Sequence, residues 1–164
     1  MTAEVARRAD VSLRTVYRYF PTKEALQDGF NEAILERFGA GELPSRMDRL
    51  PAIVGDLFQG FERNADLVKA MRFSKTAGEI RARRKARQKR ALTKALVDHT
   101  AHLDEAQARG VAAVMSNLLG SEVWLEMTET WGMTTDEAAD AVKWAIGTLQ
   151  AQLERERERR RGPA

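Results

Sequence analysis

The chain contains no cysteine, so disulfides and thiolate chemistry are excluded outright. It holds only two histidines, His99 and His102, and four prolines. No apolar run approaches the ~20 residues that a helix needs to span a bilayer, and no signal-peptide pattern opens the chain. A cytoplasmic protein with no membrane partner is the expectation. The period-two alternation of strands is hard to find anywhere. There is no nucleophile–base pattern, no glycine-rich phosphate loop and no carboxylate pair that a fold would force together. Catalytic residues and cofactors are therefore not expected, and the chain does not read as an enzyme. His99-Thr-Ala-His102 has a spacing that can chelate a metal on a helix, with Asp98 and Asp104 nearby. These residues fall at a helix end with no further His or Cys to complete a site, so no metal is expected.

What is present is helical. At 164 residues the chain can hold one modest domain or a small head on a helical body. The most informative stretch is Val5 to Leu26, VARRADVSLRTVYRYFPTKEAL, which reads as helix, tight turn, helix, proline stop and new helix. Val5, Ala6 and Ala9 on the first helix, Val11 in the turn, and Val16 and Phe20 on the second helix are the apolar residues expected to fix its geometry. Asp10 takes the turn position where a left-handed backbone is needed, which Asp tolerates better than most residues. Ser12 can cap the second helix. That leaves Leu13, Arg14, Thr15, Tyr17, Arg18 and Tyr19 pointing largely outward. This is the design of a helix-turn-helix whose second helix enters a major groove. Residues 1–23 carry five basic side chains (Arg7, Arg8, Arg14, Arg18, Lys23) against Glu4 and Asp10, a surplus equal to the net charge of +3 on the whole chain. A polyanion is the natural partner.

Further helices follow from periodicity and caps. One opens at Thr22 and runs to about Phe38, broken by Gly39-Ala-Gly41 and Pro44. A second begins near Pro51 and carries Ile53, Val54, Leu57, Phe58 and Phe61. A shorter one with Leu67, Val68, Met71 and Phe73 follows the bend at Asn64. A long helix spans roughly Ile80 to Thr100, and another runs from about Asp104 to Thr130. Thr134-Thr-Asp-Glu137 is a capping box that opens the last helix, which runs past Leu153. Its end, Glu154 to Arg161 (ERERERRR), reads as frayed and solvated.

The run Tyr17-Arg18-Tyr19-Phe20-Pro21-Thr22-Lys23-Glu24-Ala25-Leu26 resembles the hallmark of the tetracycline-repressor (TetR) family, an aromatic pair followed by Pro-Ser/Thr-Lys-Glu. The likeness is specific over about the first forty residues and architectural beyond them. Asp10 stands where the family commonly has glycine, and Leu13-Arg14 replaces a frequent Lys-Gly pair. The resemblance implies an all-α fold with a DNA-binding head and connecting helix in residues 1–40 and a ligand-binding and dimerisation domain in 41–164. It implies a sequence-specific transcriptional regulator, a repressor released by a small apolar or amphipathic inducer, with a palindromic double-stranded DNA operator and a second copy of itself as partners. Ser12, Leu13, Arg14, Thr15, Tyr17, Arg18, Tyr19 and Lys23 are the expected DNA-binding residues. A family head has one more helix, which would precede Met1 and cover Val5, Ala9, Val16 and Phe20. The head of this chain is accordingly expected to be loosely held on a stable body.

The last two long helices carry the pattern of a dimer interface. Ala138, Ala141 and Ala145 recur at helical spacing beside Val142, Ile146 and Leu149, and the preceding helix adds Leu118 and Leu125. Small residues let helix backbones approach closely, and two helices from each protomer make a four-helix bundle. Packing of both helices inside one subunit is the alternative. Phe58, Phe61, Met71, Phe73, Met115, Trp124 and Met127 come from four helices and are the candidate lining of a ligand pocket, since Met adapts to irregular shapes and Trp offers a flat apolar wall. For any single one of them ordinary core packing is the favoured reading. Arg81 to Arg90 has seven basic residues in ten and reads as a solvated helix face or a contributor to long-range attraction of DNA. Two other functions fit the sequence, a helical interaction module without DNA binding and a DNA-binding protein without a ligand.

Overall fold

The computed structural model describes residues 2–38, 44, 46–73 and 77–161, and all regular structure among them is helical. The head consists of α1 (Thr2–Arg8), α2 (Leu13–Tyr19) and α3 (Lys23–Arg37), the last of which connects it to the body. A 3₁₀ turn at Met47–Arg49 leads into α4 (Leu50–Arg63), followed by α5 (Ala65–Phe73), α6 (Ala77–Thr100), α7 (Glu105–Leu118), α8 (Ser121–Leu125) and α9 (Thr135–Arg161). The Gly39–Gly41 break lies outside the described residues.

Each boundary has a local cause. Pro51 sits in the first turn of α4, where its missing N–H costs nothing. Asp104 and Gln107 form a reciprocal capping box at the start of α7. The expected box at Thr134 is present. The Glu137 N–H donates to Thr134 Oγ1 at 3.2 Å, and the Thr134 N–H donates to Glu137 Oε2 at 2.7 Å. The Thr134 N–H first, and next the Thr134 hydroxyl, which donates to Oε2 at 2.9 Å, hold the Glu137 carboxyl below the ordinary range.

The core is built on two helix pairs. α4 lies along α9, burying Val54, Leu57, Phe58 and Phe61 with Ala138, Ala139, Val142 and Ile146. α6 lies along α7, burying Leu92 and Leu96 with Ala112, Met115 and Leu119. At its centre the Phe61 ring meets Phe38 edge-on at 5.2 Å, with Phe58 at 5.9 Å and Trp124 at 6.0 Å. Trp124 Nε1 donates to the buried Thr135 hydroxyl at 3.1 Å, so the indole has its one polar atom satisfied inside the core.

Two expectations need correction. The single helix expected from Asp104 to Thr130 is broken. α7 ends at Leu118, Gly120 turns extended (φ −86°, ψ 146°) to start α8, and Glu126–Thr130 winds as a π-helix. The turn lets Trp124 and Leu125 face inward together, which an unbroken helix would not do. The charged end of α9 is helical rather than frayed. Arg160 Nη1 donates to the His102 carbonyl at 2.6 Å, and Glu156 Oε2 lies 3.7 Å from His102 Nε2, so the last turns dock on the bend between α6 and α7.

The joint between head and body is very close. A β-carbon on residue 60 would stand 1.7 Å from the Phe38 carbonyl oxygen, so only glycine lets the end of α3 lie against α4. Asn64 closes the same joint. Its Nδ2 donates to the carbonyls of Arg37 (3.1 Å) and Gly60 (2.9 Å), while its Oδ1 accepts from Arg37 Nε at 2.7 Å. Gly60→Ala should therefore destabilise the chain by about 1–3 kcal/mol through overpacking, although alanine is intrinsically the better helix former by ~1 kcal/mol. A thermal midpoint lowered by several degrees checks this, and an unchanged midpoint contradicts it.

Candidate nucleic-acid interface

The turn between α1 and α2 forms as the sequence requires. The Val11 N–H donates to the Ala6 carbonyl at 3.0 Å and the Asp10 N–H to the Arg7 carbonyl at 3.4 Å, the paired bonds of a Schellman motif. Asp10 occupies its left-handed position at φ 52°. Ser12 then caps α2, accepting from the Thr15 N–H at 3.0 Å. Thr22 repeats the device for α3, accepting from the Ala25 N–H at 3.0 Å.

Apolar contact holds α2 in place through fewer residues than expected. Ala6 and Val16 are buried, and the Phe20 ring packs over Gly29 of α3, where a β-carbon would come within 2.6 Å of it. Val5 and Ala9 are exposed, as is Val11, so they do not fix the head as the sequence suggested. The short α1 turns only the Ala6 side of its surface toward α2, and Val5 and Ala9 fall outside that contact.

The outer face of α2 presents Leu13, Arg14, Tyr17, Arg18 and Tyr19, all exposed, with Lys23 exposed at the start of α3. Tyr19 is the most open of the aromatics here at 67 %. The Arg18 guanidinium stands 5.0 Å above the Tyr19 ring, a cation–π contact that pre-orients it. Thr15 differs from its neighbours. It is half-buried, and its hydroxyl lies 2.9 Å from Ser12 Oγ, so both hydroxyls are committed to the cap.

The basic residues of the head fall into two sets. Glu4 accepts from Arg7 at 2.6 and 2.9 Å and from Arg8 at 2.8 Å. Those bonds, to Arg7 first and Arg8 next, hold its carboxyl down at about 2. Glu4 therefore stays ionised, and its bonds to Arg7 and Arg8 are retained, at every pH above the ordinary carboxylate range; they are lost only as pH falls through about 2. Arg14 and Arg18 have no carboxylate partner among the described residues. The field of α2 is thus directed outward, where phosphates and base edges would lie.

The other candidate residues are placed as follows. Phe58, Phe61, Met115 and Trp124 are buried against one another in the core, and Met127 is half-buried at its edge. The side chain of Phe73 lies outside the described residues. Met71 borders a narrow cleft with Phe38, Val68, Arg72, Ser121, Glu122 and Leu125 that has room for about one water molecule. In the last helices, Leu125, Ala138, Val142 and Ile146 are fully buried within one protomer, because the branched stripe of α9 turns toward α4. Leu118, Ala141, Ala145 and Leu149 are half-buried, and sequence reasoning missed Trp144, which is 73 % exposed. Its exposure had no signature in the sequence, since one helix carries apolar residues on several sides. Among the described residues no three His, Asp or Glu side chains are arranged to hold a metal ion, and no helix is long and apolar enough to cross a membrane.

The left-handed Asp10 is the most testable feature of the turn. Asp10→Val should cost about 1–2 kcal/mol by forcing a β-branched residue into that region, whereas Asp10→Gly should be neutral or stabilising. Thermal melts of the two variants distinguish them, and equal stability would contradict the geometry.

Residues 1–28 match the family model of bacterial regulatory proteins of the tetR family. Neither the curated proteins nor the solved structures give a match to the chain. The matched segment is α1, the turn, α2 and the first turns of α3, the same elements that assemble the outward basic and aromatic face. Over this head the chain is similar to the tetR family of bacterial regulatory proteins.

Proposed function

We propose that the protein is a sequence-specific transcriptional repressor that binds a palindromic operator as a homodimer and is released by a small apolar or amphipathic ligand. The single observation that carries the DNA-binding part is the exposed face of α2, where Arg14 and Arg18 stand beside Tyr17 and Tyr19 without a carboxylate partner among the described residues. Arg14, Arg18 and Leu13 are assigned to base edges, because a guanidinium pairs bidentately with guanine and an apolar side chain meets the thymine methyl. Tyr17 and Lys23 are assigned to phosphates, which fix register without reading sequence. Ser12 and Thr15 support the interface by capping α2 rather than by reaching for DNA.

Release by a ligand draws support from the position of the cleft beside Met71. Phe38 forms part of its wall and is also the residue pressed against Gly60 at the head–body joint. A ligand that widened this cleft would displace the end of α3 and with it α2. Arg72, Ser121 and Glu122 supply the few polar groups needed to orient such a molecule.

For the dimer, support comes from the outer sides of α7 and α9. Val114 and Trp144 are exposed there, with half-buried Ala141 and Ala145 beside them and open space at Gly110 and Gly147. An exposed Trp next to small residues is the kind of knob that a facing helix pair accepts. Gly147→Arg should leave the protomer folded, since nothing lies within 4 Å of the added β-carbon. Sedimentation should then report monomers; an undisturbed dimer would remove this face of α9 from the interface.

Binding across a randomised duplex library tests the reading of DNA. Arg14→Ala should relax preference at one base pair per half-site, at a cost of ~1–3 kcal/mol. Lys23→Ala should weaken all sequences alike and reduce the salt slope by about one. Unchanged preference in Arg14→Ala would overturn the assignment.

A further inference from the structure

The largest concentration of positive charge in the chain lies in α6, outside the head. Between Ile80 and Val97 there are eight basic residues and no acidic one, which leaves 19 Lys and Arg against 24 Asp and Glu everywhere else. The protein is basic because of this helix.

Packing decides which side of α6 faces solvent. Leu92 and Leu96 are fully buried, and Gln88 Nε2 donates to the Ser116 carbonyl at 3.3 Å, so that side lies on α7. On the other side Lys89, Arg90, Thr93 and Lys94 line an open groove with Val97, which is 56 % exposed. Lys85 is 4.0 Å from Glu122, whereas Lys89, Arg90 and Lys94 have no ion pair among the described residues. Lys85 and Lys89, and Arg90 and Lys94, stand one turn apart. Like charges at that spacing destabilise a helix by about 0.2–0.5 kcal/mol per pair. A helix face that carries such repulsion gains from a polyanion laid along it. Thr93 adds a hydroxyl donor at the same place, and the small Ala86 leaves the neighbouring surface low.

We propose that this face of α6 is a second, sequence-independent contact for the phosphate backbone of duplex DNA. It rests on the reading of the chain as a DNA-binding protein, but it does not use α2. The head would read sequence, while Lys89, Arg90 and Lys94, with the Thr93 hydroxyl, grip phosphates of the same or a neighbouring duplex. Each phosphate neutralised releases condensed counterions, so the contribution of α6 is read in the salt dependence of binding rather than in base preference.

The test uses the full chain and the variant Lys89→Gln/Arg90→Gln/Lys94→Gln, whose changes are all at exposed positions. Equilibrium binding to duplexes of unrelated sequence is measured over roughly 50–200 mM salt. The expected result is a salt slope smaller by about two to three, an affinity lowered about equally for every duplex, an unchanged order of sequence preference and an unchanged thermal midpoint. Arg14→Ala, measured in parallel, separates this proposal from the reading of the head. If Arg14→Ala keeps its sequence preference while the triple variant loses slope, the α6 contact stands and the assignment to α2 falls. An unchanged slope in the triple variant overturns the proposal, as does failure of the unaltered chain to bind any duplex at the lowest salt. Tighter binding to phosphatidylserine vesicles than to duplex DNA, lost in the triple variant, would reassign the face to a membrane surface and overturn it as well.

Discussion

The contact between the Phe38 backbone and Gly60 is the constraint on which the rest of the arrangement depends. It joins α3, which links head and body, to α4, which carries Phe58 and Phe61 of the aromatic core. With no side chain on residue 60, the end of α3 reaches the surface of α4, and Asn64 ties both backbones with two hydrogen bonds and accepts a third from the Arg37 side chain. The orientation of α2 then follows, because α2 is itself fixed to α3 by Phe20 over Gly29. Two glycines thus set the attitude of the recognition face relative to the core.

The two ends of this linkage differ in stability. The body buries a continuous cluster from α3 to α9, whereas the head buries only Ala6, Val16 and part of Phe20 in its first two helices. Local unfolding draws on regions with few buried apolar contacts. The head is therefore the part most easily reordered, and capping by Ser12 and Thr22 matters more there than any cap in the body.

Features set by neighbours in sequence were legible from the residues alone. The left-handed Asp10, the caps at Ser12 and Thr22 and the box at Thr134 each depend on a few consecutive positions, and each formed as the residue types demanded. Features set by tertiary packing were not. Along α9 the stripe Ala138-Val142-Ile146 and the neighbouring Ala141-Trp144-Ala145 have the same helical spacing, and only the position of α4 decides which turns inward. The aromatic residues of the body likewise read as pocket or core, and in the structure Phe61 packs on both Phe58 and Trp124. At the recognition face, residue type identified Arg14, Tyr17 and Arg18 as outward, but it did not show that the Thr15 hydroxyl is held by Ser12. The basic run of α6 was legible as composition, but which of its residues face solvent was not.

Hydrogen exchange with and without duplex DNA at low salt tests the central claim, that DNA occupies the outer face of α2 held on the body through α3. Amides of residues 13–26, together with the end of α3 near Phe38, should exchange more slowly when DNA is bound, because fixing α2 also fixes its support. Slowed exchange confined to the body helices, with residues 13–26 unaffected, would contradict it.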